Sequence, residues 1–221
     1  MRLCVVFSKG SEVRFVSHLD VQRLFQRAFR RAGLPLAYSQ GFNPHPLVSF
    51  ATALSVGMTS SGEYLDVTLT NDMTPDDFIA ATAPTLPKGV EIREVFDMGE
   101  SRRSLTSAMR SAEYTAEVVF PEPVSCEELE NAVNELLSGE IVIMKKTKGG
   151  IKPTDIRPWV YGLELVSCEN GRAVFGIKGL LSAEGGLNPE VLLGELYKRL
   201  GKEGSAEINR DLIVMDRGAL N

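Results

Sequence analysis

Apolar and polar positions along the chain alternate between short β-like runs and helical stripes. Residues 2–8 (Arg-Leu-Cys-Val-Val-Phe-Ser) form a β-prone run that predicts an opening strand, continued through Val13–Val16 after a Lys9-Gly10 turn. Ser17-His18-Leu19-Asp20 has the form of a capping box, a hydroxyl followed three residues later by a carboxylate. Val21, Leu24, Phe25, Ala28 and Ala32 then share one face at helical spacing, and the helix should stop at Gly33 before Leu34-Pro35. Leu36–Tyr38, a segment rich in Gly, Asn and Pro from Gln40 to Pro46, and an apolar run Leu47–Leu54 follow, then a strand over Tyr64–Leu69. Thr74-Pro75-Asp76-Asp77 starts a second helix, with Pro at its first position, and residues 90–96 close the unit as a strand. The order β-α-β-β-α-β is that of the ferredoxin-like split βαβ unit.

The order recurs. Tyr114–Phe120 reads as a strand, Ser125-Cys126-Glu127-Glu128 caps a helix to about Ser138, and Ile141–Lys145 begins a strand or hairpin arm. Tyr161–Ser167 and Arg172–Ile177 make a hairpin around Asn170-Gly171, Asn188-Pro189-Glu190 caps a helix to Leu200, and Ala206–Val214 closes as a strand. The pattern predicts an α+β protein of two tandem ferredoxin-like (βαββαβ) halves with antiparallel sheets: 1–98, a polar connector over 99–112, and 113–221.

Composition narrows the chemistry. Apolar residues at 43% and charged residues at 24% are those of a globular chain. The net charge of −5 argues against indiscriminate nucleic-acid binding, but it is unevenly spread. Residues 1–60 hold seven Arg or Lys against two acids, net +5, which leaves −10 for the other residues. Such a split points to one surface made for an anionic partner. No apolar stretch is long enough to span a membrane. Cys4, Cys126 and Cys168 are odd in number, widely spaced and form no CxxC pair; together with the lack of a signal peptide they predict a cytoplasmic protein with no disulfide and no cysteine-held metal. With only His18 and His45, no histidine metal motif is present.

Three segments carry candidate chemistry. On the first helix, Arg23, Arg27 and Arg30 fall within about 60° of one another, roughly opposite the apolar stripe, with Arg31 beside them. Arginine's planar fork grips phosphate with two hydrogen bonds, so this ridge suits RNA; a solvated helix face is the plainer alternative. Tyr38-Ser39-Gln40-Gly41-Phe42-Asn43-Pro44-His45-Pro46 is a stiffened loop that would present Phe42, Asn43 and His45 in fixed positions, as base recognition needs. The third segment, 145–159, gathers Lys145, Lys146, Lys148, Lys152 and Arg157 around a Gly-Gly hinge and the single Trp159. Its lysines fit phosphates or an acidic protein face, while Asp155 and Arg157 could instead pair locally and shape the turn. No nucleotide-binding glycine motif and no nucleophile elbow occurs.

Arg14-Phe15-Val16-Ser17-His18-Leu19-Asp20, Gln40-Gly41-Phe42-Asn43-Pro44-His45-Pro46 and Lys152-Pro153-Thr154-Asp155-Ile156-Arg157-Pro158, in that order, resemble the radical-SAM-linked family, a bacterial domain of unknown function numbered 2344. The resemblance implies a partner, a radical-SAM enzyme that carries the iron–sulfur cluster and SAM, encoded beside this domain or fused to it. The chain has no CxxxCxxC motif, so no cofactor is expected on it. The doubled order is also similar to CRISPR repeat-processing endoribonucleases and tRNA pseudouridine synthases, as a likeness of fold. Thr154-Asp155-Ile156-Arg157 does not reproduce the Arg-Thr-Asp setting of the latter's catalytic aspartate.

The combined expectation is a non-catalytic RNA-binding or substrate-presenting accessory protein acting with a radical-SAM modification enzyme. The alternatives are a protein-interaction module docking on that enzyme, and a metal-independent RNA-processing enzyme using His18 or His45 as acid or base.

Overall fold

A computed structural model describes residues 1–99, 101, 103–147 and 150–216; Lys148, one of the candidate phosphate ligands, lies outside them. The chain divides into two units, Met1–Arg110 with Leu212–Asn221, and Ser111–Asp211. It is a mixed α+β protein whose strands pair mostly antiparallel.

In the first unit, strand β1 (Arg2–Lys9) is buried along nearly all its length. The expected continuation through Val13–Val16 is replaced by a 3-10 turn at Ser11–Val13, because Gly10 N–H donates to Gly89 O (2.7 Å) and Val13 N–H folds back onto Gly10 O. Helix α1 (His18–Arg31) starts where its cap predicts, with Ser17 Oγ accepting from Asp20 N–H at 3.3 Å, and ends before Gly33, whose φ of +67° suits glycine. Val21, Phe25, Ala28 and Phe29 form its buried face. Strand β2 (Val48–Phe50) is shorter than its apolar run; β3 (Thr59–Thr68), α2 (Pro75–Thr82) and β4 (Val90–Asp97) complete the set. The sheet runs β2-β3-β1-β4, every neighbour antiparallel. Phe25, Phe29 and Phe78 are fully buried under it, each contributing roughly 1.5–3 kcal/mol. Arg2 ties the start of β1 to the segment after β4, donating to Asp66 (2.7 Å) and to the Ser101 and Arg103 carbonyls (3.0 Å each). A short helix α3 (Leu105–Ala108) follows, with Leu105 and Ala108 buried.

In the second unit, β5 (Met109–Val119) leads to α4 (Cys126–Ser138), capped by a complete capping box of Ser125 and Glu128. Strands β6 (Val142–Thr147) and β7 (Gly150–Asp155) form a hairpin that is a sheet of its own. The chain then runs through β8 (Val160–Glu169), β9 (Arg172–Ser182), a two-residue β10 (Gly185–Gly186), α5 (Pro189–Leu200) and β11 (Ser205–Met215). Asn170 (φ 50°) and Gly171 (φ 75°) make the tight β8–β9 turn their sequence predicts. β8 and β5 pair antiparallel to either side of β9, and β11 lies beyond β5.

One expectation is overturned. Cys126 and Cys168, read as separate thiols, form a disulfide, with Cα atoms 5.7 Å apart. Their separation of 42 residues conceals that α4 begins beside the end of β8. Cys4 alone is free, and it is buried. Among the described residues no helix is long and apolar enough to cross a membrane.

Candidate nucleic-acid interface

The amphipathic pattern of α1 turns its arginines outward. Arg23, Arg27, Arg30 and Arg31 are all exposed, but their guanidinium groups are engaged to different degrees. Arg23 pairs with Asp20 at 3.0 Å, and Arg31 donates to Thr85 O at 2.6 Å. Arg30 uses only Nε, toward Gln26 O at 3.3 Å, and Arg27 has no hydrogen-bonded partner among the described residues. Asp20, hydrogen-bonded by Ser17 and Arg23 and in the field of Arg27, is held below the usual aspartate range. It neutralises the first turn of the helix, so the available positive charge lies at Arg27 and Arg30.

The loop from Tyr38 to Pro46 follows from the C-terminal end of α1 through the short Ala32–Leu36 connection. It is a miniature ribbon: Tyr38 pairs with Pro46, Ser39 N–H donates to His45 O at 2.9 Å, and Leu47 N–H donates to Ala37 O at 2.8 Å. Ser39 Oγ accepts from His45 N–H (3.1 Å) and lies 2.9 Å from His45 Nδ1. This leaves Gln40, Gly41, Phe42, Asn43 and Pro44 as an exposed tip, with Phe42 as open to solvent as a side chain can be (111%). Gly41 sits at φ +129°, a conformation that a side chain would strain.

His18 and His45, the two candidate acid–base groups, have different surroundings. His18 packs edge-on to Phe50 (ring centroids 5.5 Å apart) and contacts Gln22 at 3.0 Å, whereas His45 is held by Ser39. His18 lines a pocket of about 20 Å³, the size of a water, together with Lys9, Glu63, Phe7 and Phe50. Lys9 and Glu63 are 3% and 4% exposed, and sequence reasoning did not single them out. Lys9 Nζ donates to Arg14 O at 2.9 Å; burial pulls its pKa down and Glu63 opposes that. Burial also lowers the pKa of His18 below its ordinary 6.5, favouring the neutral ring in the folded state. The unfolded chain then binds more protons, so this contribution is complete above pH 6.5 and is lost as pH falls through the lowered value. The His18→Gln variant should therefore show a shallower loss of melting temperature on acidification below pH 6.5 than the parent; identical slopes would rule out His18 as the source.

The basic segment of the second unit is built differently. In the β6–β7 hairpin Lys145 lies directly opposite Lys152, and Lys146 opposite Ile151. Lys145 Nζ stands over the Trp159 ring, 4.3 Å from its centroid. Lys146 and Lys152 are exposed, as are the apolar Val142, Met144 and Ile151. Arg157 serves the hairpin's base: it donates from Nε to Leu137 O (2.8 Å) and from Nη1 to Val160 O (3.1 Å). Asp155 accepts from the N–H groups of Ile141 and Arg157 at 2.9 Å. Asp155 thus shapes the turn, while the Arg157 guanidinium bonds the carbonyls of Leu137 and Val160 and not Asp155. Among the described residues no group of His, Cys, Asp and Glu is placed to hold a metal ion.

The fold and these surfaces define an α+β protein with an exposed basic helix and, after it in the chain, a hydrogen-bonded ribbon. The chain belongs to the family described as "Uncharacterized protein conserved in bacteria (DUF2344)", which matches residues 2–188. No curated protein matches it. Among solved structures it is similar to a chain of a Cbf5-Nop10-Gar1 complex, with TM-score 0.55 and 13% identity over 95% of this chain and 48% of that one. A chain of an H/ACA RNP bound to a substrate RNA containing 2′-deoxyuridine matches with TM-score 0.53 and 13% identity, over 95% of this chain and 47% of that one. This protein spans about half the length of those chains, and at such identity the likeness is one of fold.

Proposed function

We propose that the protein is an RNA-binding accessory module that holds the RNA backbone on α1 of its first unit and presents it to a radical-SAM modification enzyme. The observation that carries the RNA reading is the pair Arg27 and Arg30, two exposed guanidinium groups one helical turn apart with little of their donor capacity used inside the protein. The likeness of fold to chains from RNA–protein complexes supports it. The β2-β3-β1-β4 order, and its counterpart β8-β9-β5-β11, favour reading the units as two ferredoxin-like halves. The radical-SAM partner and its cofactors rest on the family resemblance of the three sequence motifs.

The test is RNA binding against salt. Replacing Arg27 and Arg30 by Ala removes two phosphate contacts and should lower the slope of log affinity against log salt by about 1.4 for a single strand. A dissociation constant that stays the same for the parent protein between about 50 and 200 mM salt would refute backbone binding.

A second reading, docking of an acidic protein partner, is favoured by the β6–β7 hairpin. Its exposed Val142, Met144 and Ile151 stand beside Lys146 and Lys152, a mixture that suits a protein surface better than a phosphate backbone.

A further inference from the structure

We infer that the Tyr38–Pro46 ribbon is a stacking platform for an unpaired nucleobase, with Phe42 as the ring on which the base lies. The inference rests on the RNA reading of α1 and deepens it: backbone contacts tolerate any nucleic acid, whereas an aromatic platform demands a single strand.

Phe42 contributes nothing to the core of the first unit, which is filled by Phe7, Phe25, Phe29 and Phe78. Its ring stands fully in solvent, where a large apolar side chain is unfavourable, and the loop that holds it there is not slack. Ser39 closes the ribbon twice on His45, Tyr38 pairs with Pro46, and Ala37 N–H is anchored to Thr68 O of β3 at 2.9 Å. Pro44 and Pro46 fix two more φ angles, and Gly41 takes the positive φ that turns the tip. The base of the ribbon is therefore fixed before any ligand arrives, which lowers the entropy cost that a wholly floppy loop would carry on binding.

The neighbours supply polar contacts. Ser39 Oγ accepts the His45 amide hydrogen, and its own hydroxyl proton is best used on Nδ1, which makes Nε2 the nitrogen that carries the hydrogen in the neutral ring. His45 Nε2 and the exposed Asn43 amide are then a donor and a donor–acceptor pair beside Phe42, suited to a base edge. The ribbon follows in the chain from the end of α1 that carries Arg30, and both belong to the first unit. Duplex bases are stacked on their neighbours and offer no free face to such a ring.

The experiment compares a fluorescent oligouridylate of roughly ten nucleotides, alone and as its duplex with oligoadenylate, for the parent protein, Phe42→Ala and Phe42→Trp. Phe42→Ala should weaken binding of the single strand by about 5- to 100-fold while leaving the salt slope and the duplex affinity unchanged. Phe42→Trp, which keeps a stacking face, should retain or improve the parent affinity. If Phe42→Ala binds the single strand as well as the parent while the salt slope persists, the platform is overturned and backbone binding by α1 stands. If the parent protein binds neither form at low salt, the RNA reading itself fails and takes the platform with it.

Discussion

Glu63→Gln should cost the first unit about 3 kcal/mol and lower the melting temperature by roughly 6–12 °C. Lys9 is 3% exposed and Glu63 4%, and their surroundings include Phe7, Phe50, Val16 and Leu54. Removing the Glu63 carboxylate takes from Lys9 a charge that offsets its burial and leaves its ammonium the Arg14 carbonyl. Lys9→Met should be comparably harmful. The double variant Lys9→Met with Glu63→Leu should recover most of the loss, because two buried opposite charges are worth little more than apolar groups of similar shape. Thermal melts of the four proteins decide it: single variants within about 0.5 kcal/mol of the parent would mean the two charges are not coupled.

Those two residues also show what the sequence carries and what conceals it. In β1 the core positions Leu3, Val5 and Phe7 alternate, and the same period puts Lys9 on the inner face. In β3 Leu65 and Val67 set the parity that turns Glu63 inward, and the register places it opposite Phe7. The signal was present in both strands, but a lysine before Gly10 looks like a turn residue. Caps were the most readable features because they are local: Ser17, Thr74, Ser125 and Asn188 each bond a backbone N–H two or three residues on. Of the candidate site, the direction of the α1 ridge follows from helical period alone. Which guanidinium groups have partners does not, since Thr85 reaches Arg31 from 54 residues away. Arg157 illustrates the same limit: its charge is visible in the sequence, whereas the Leu137 carbonyl that uses it is brought there only by the packing of α4.

The disulfide is the extreme case of such long-range placement, and its removal should have the largest effect on the second unit. Cys126 and Cys168 enclose α4, the β6–β7 hairpin and most of β8, so their link constrains the greater part of this segment in the unfolded chain. For a separation of 42 residues the loss of that constraint amounts to about 4 kcal/mol, a fall in melting temperature of roughly 10 °C on treatment with a thiol reductant. Thiol titration gives an independent count. The folded protein should show no reactive thiol before reduction, because Cys4 is buried and its pKa is pushed up to about 12, chiefly by that burial. Two thiols should appear after reduction and the third only on unfolding. The Cys126→Ser, Cys168→Ser double variant should melt with the reduced parent and be indifferent to reductant, whereas Cys4→Ser should keep the full response. Equal melting temperatures for oxidised and reduced parent would mean that packing of α4 against β8 holds this part of the unit, with the sulfur link adding nothing to it.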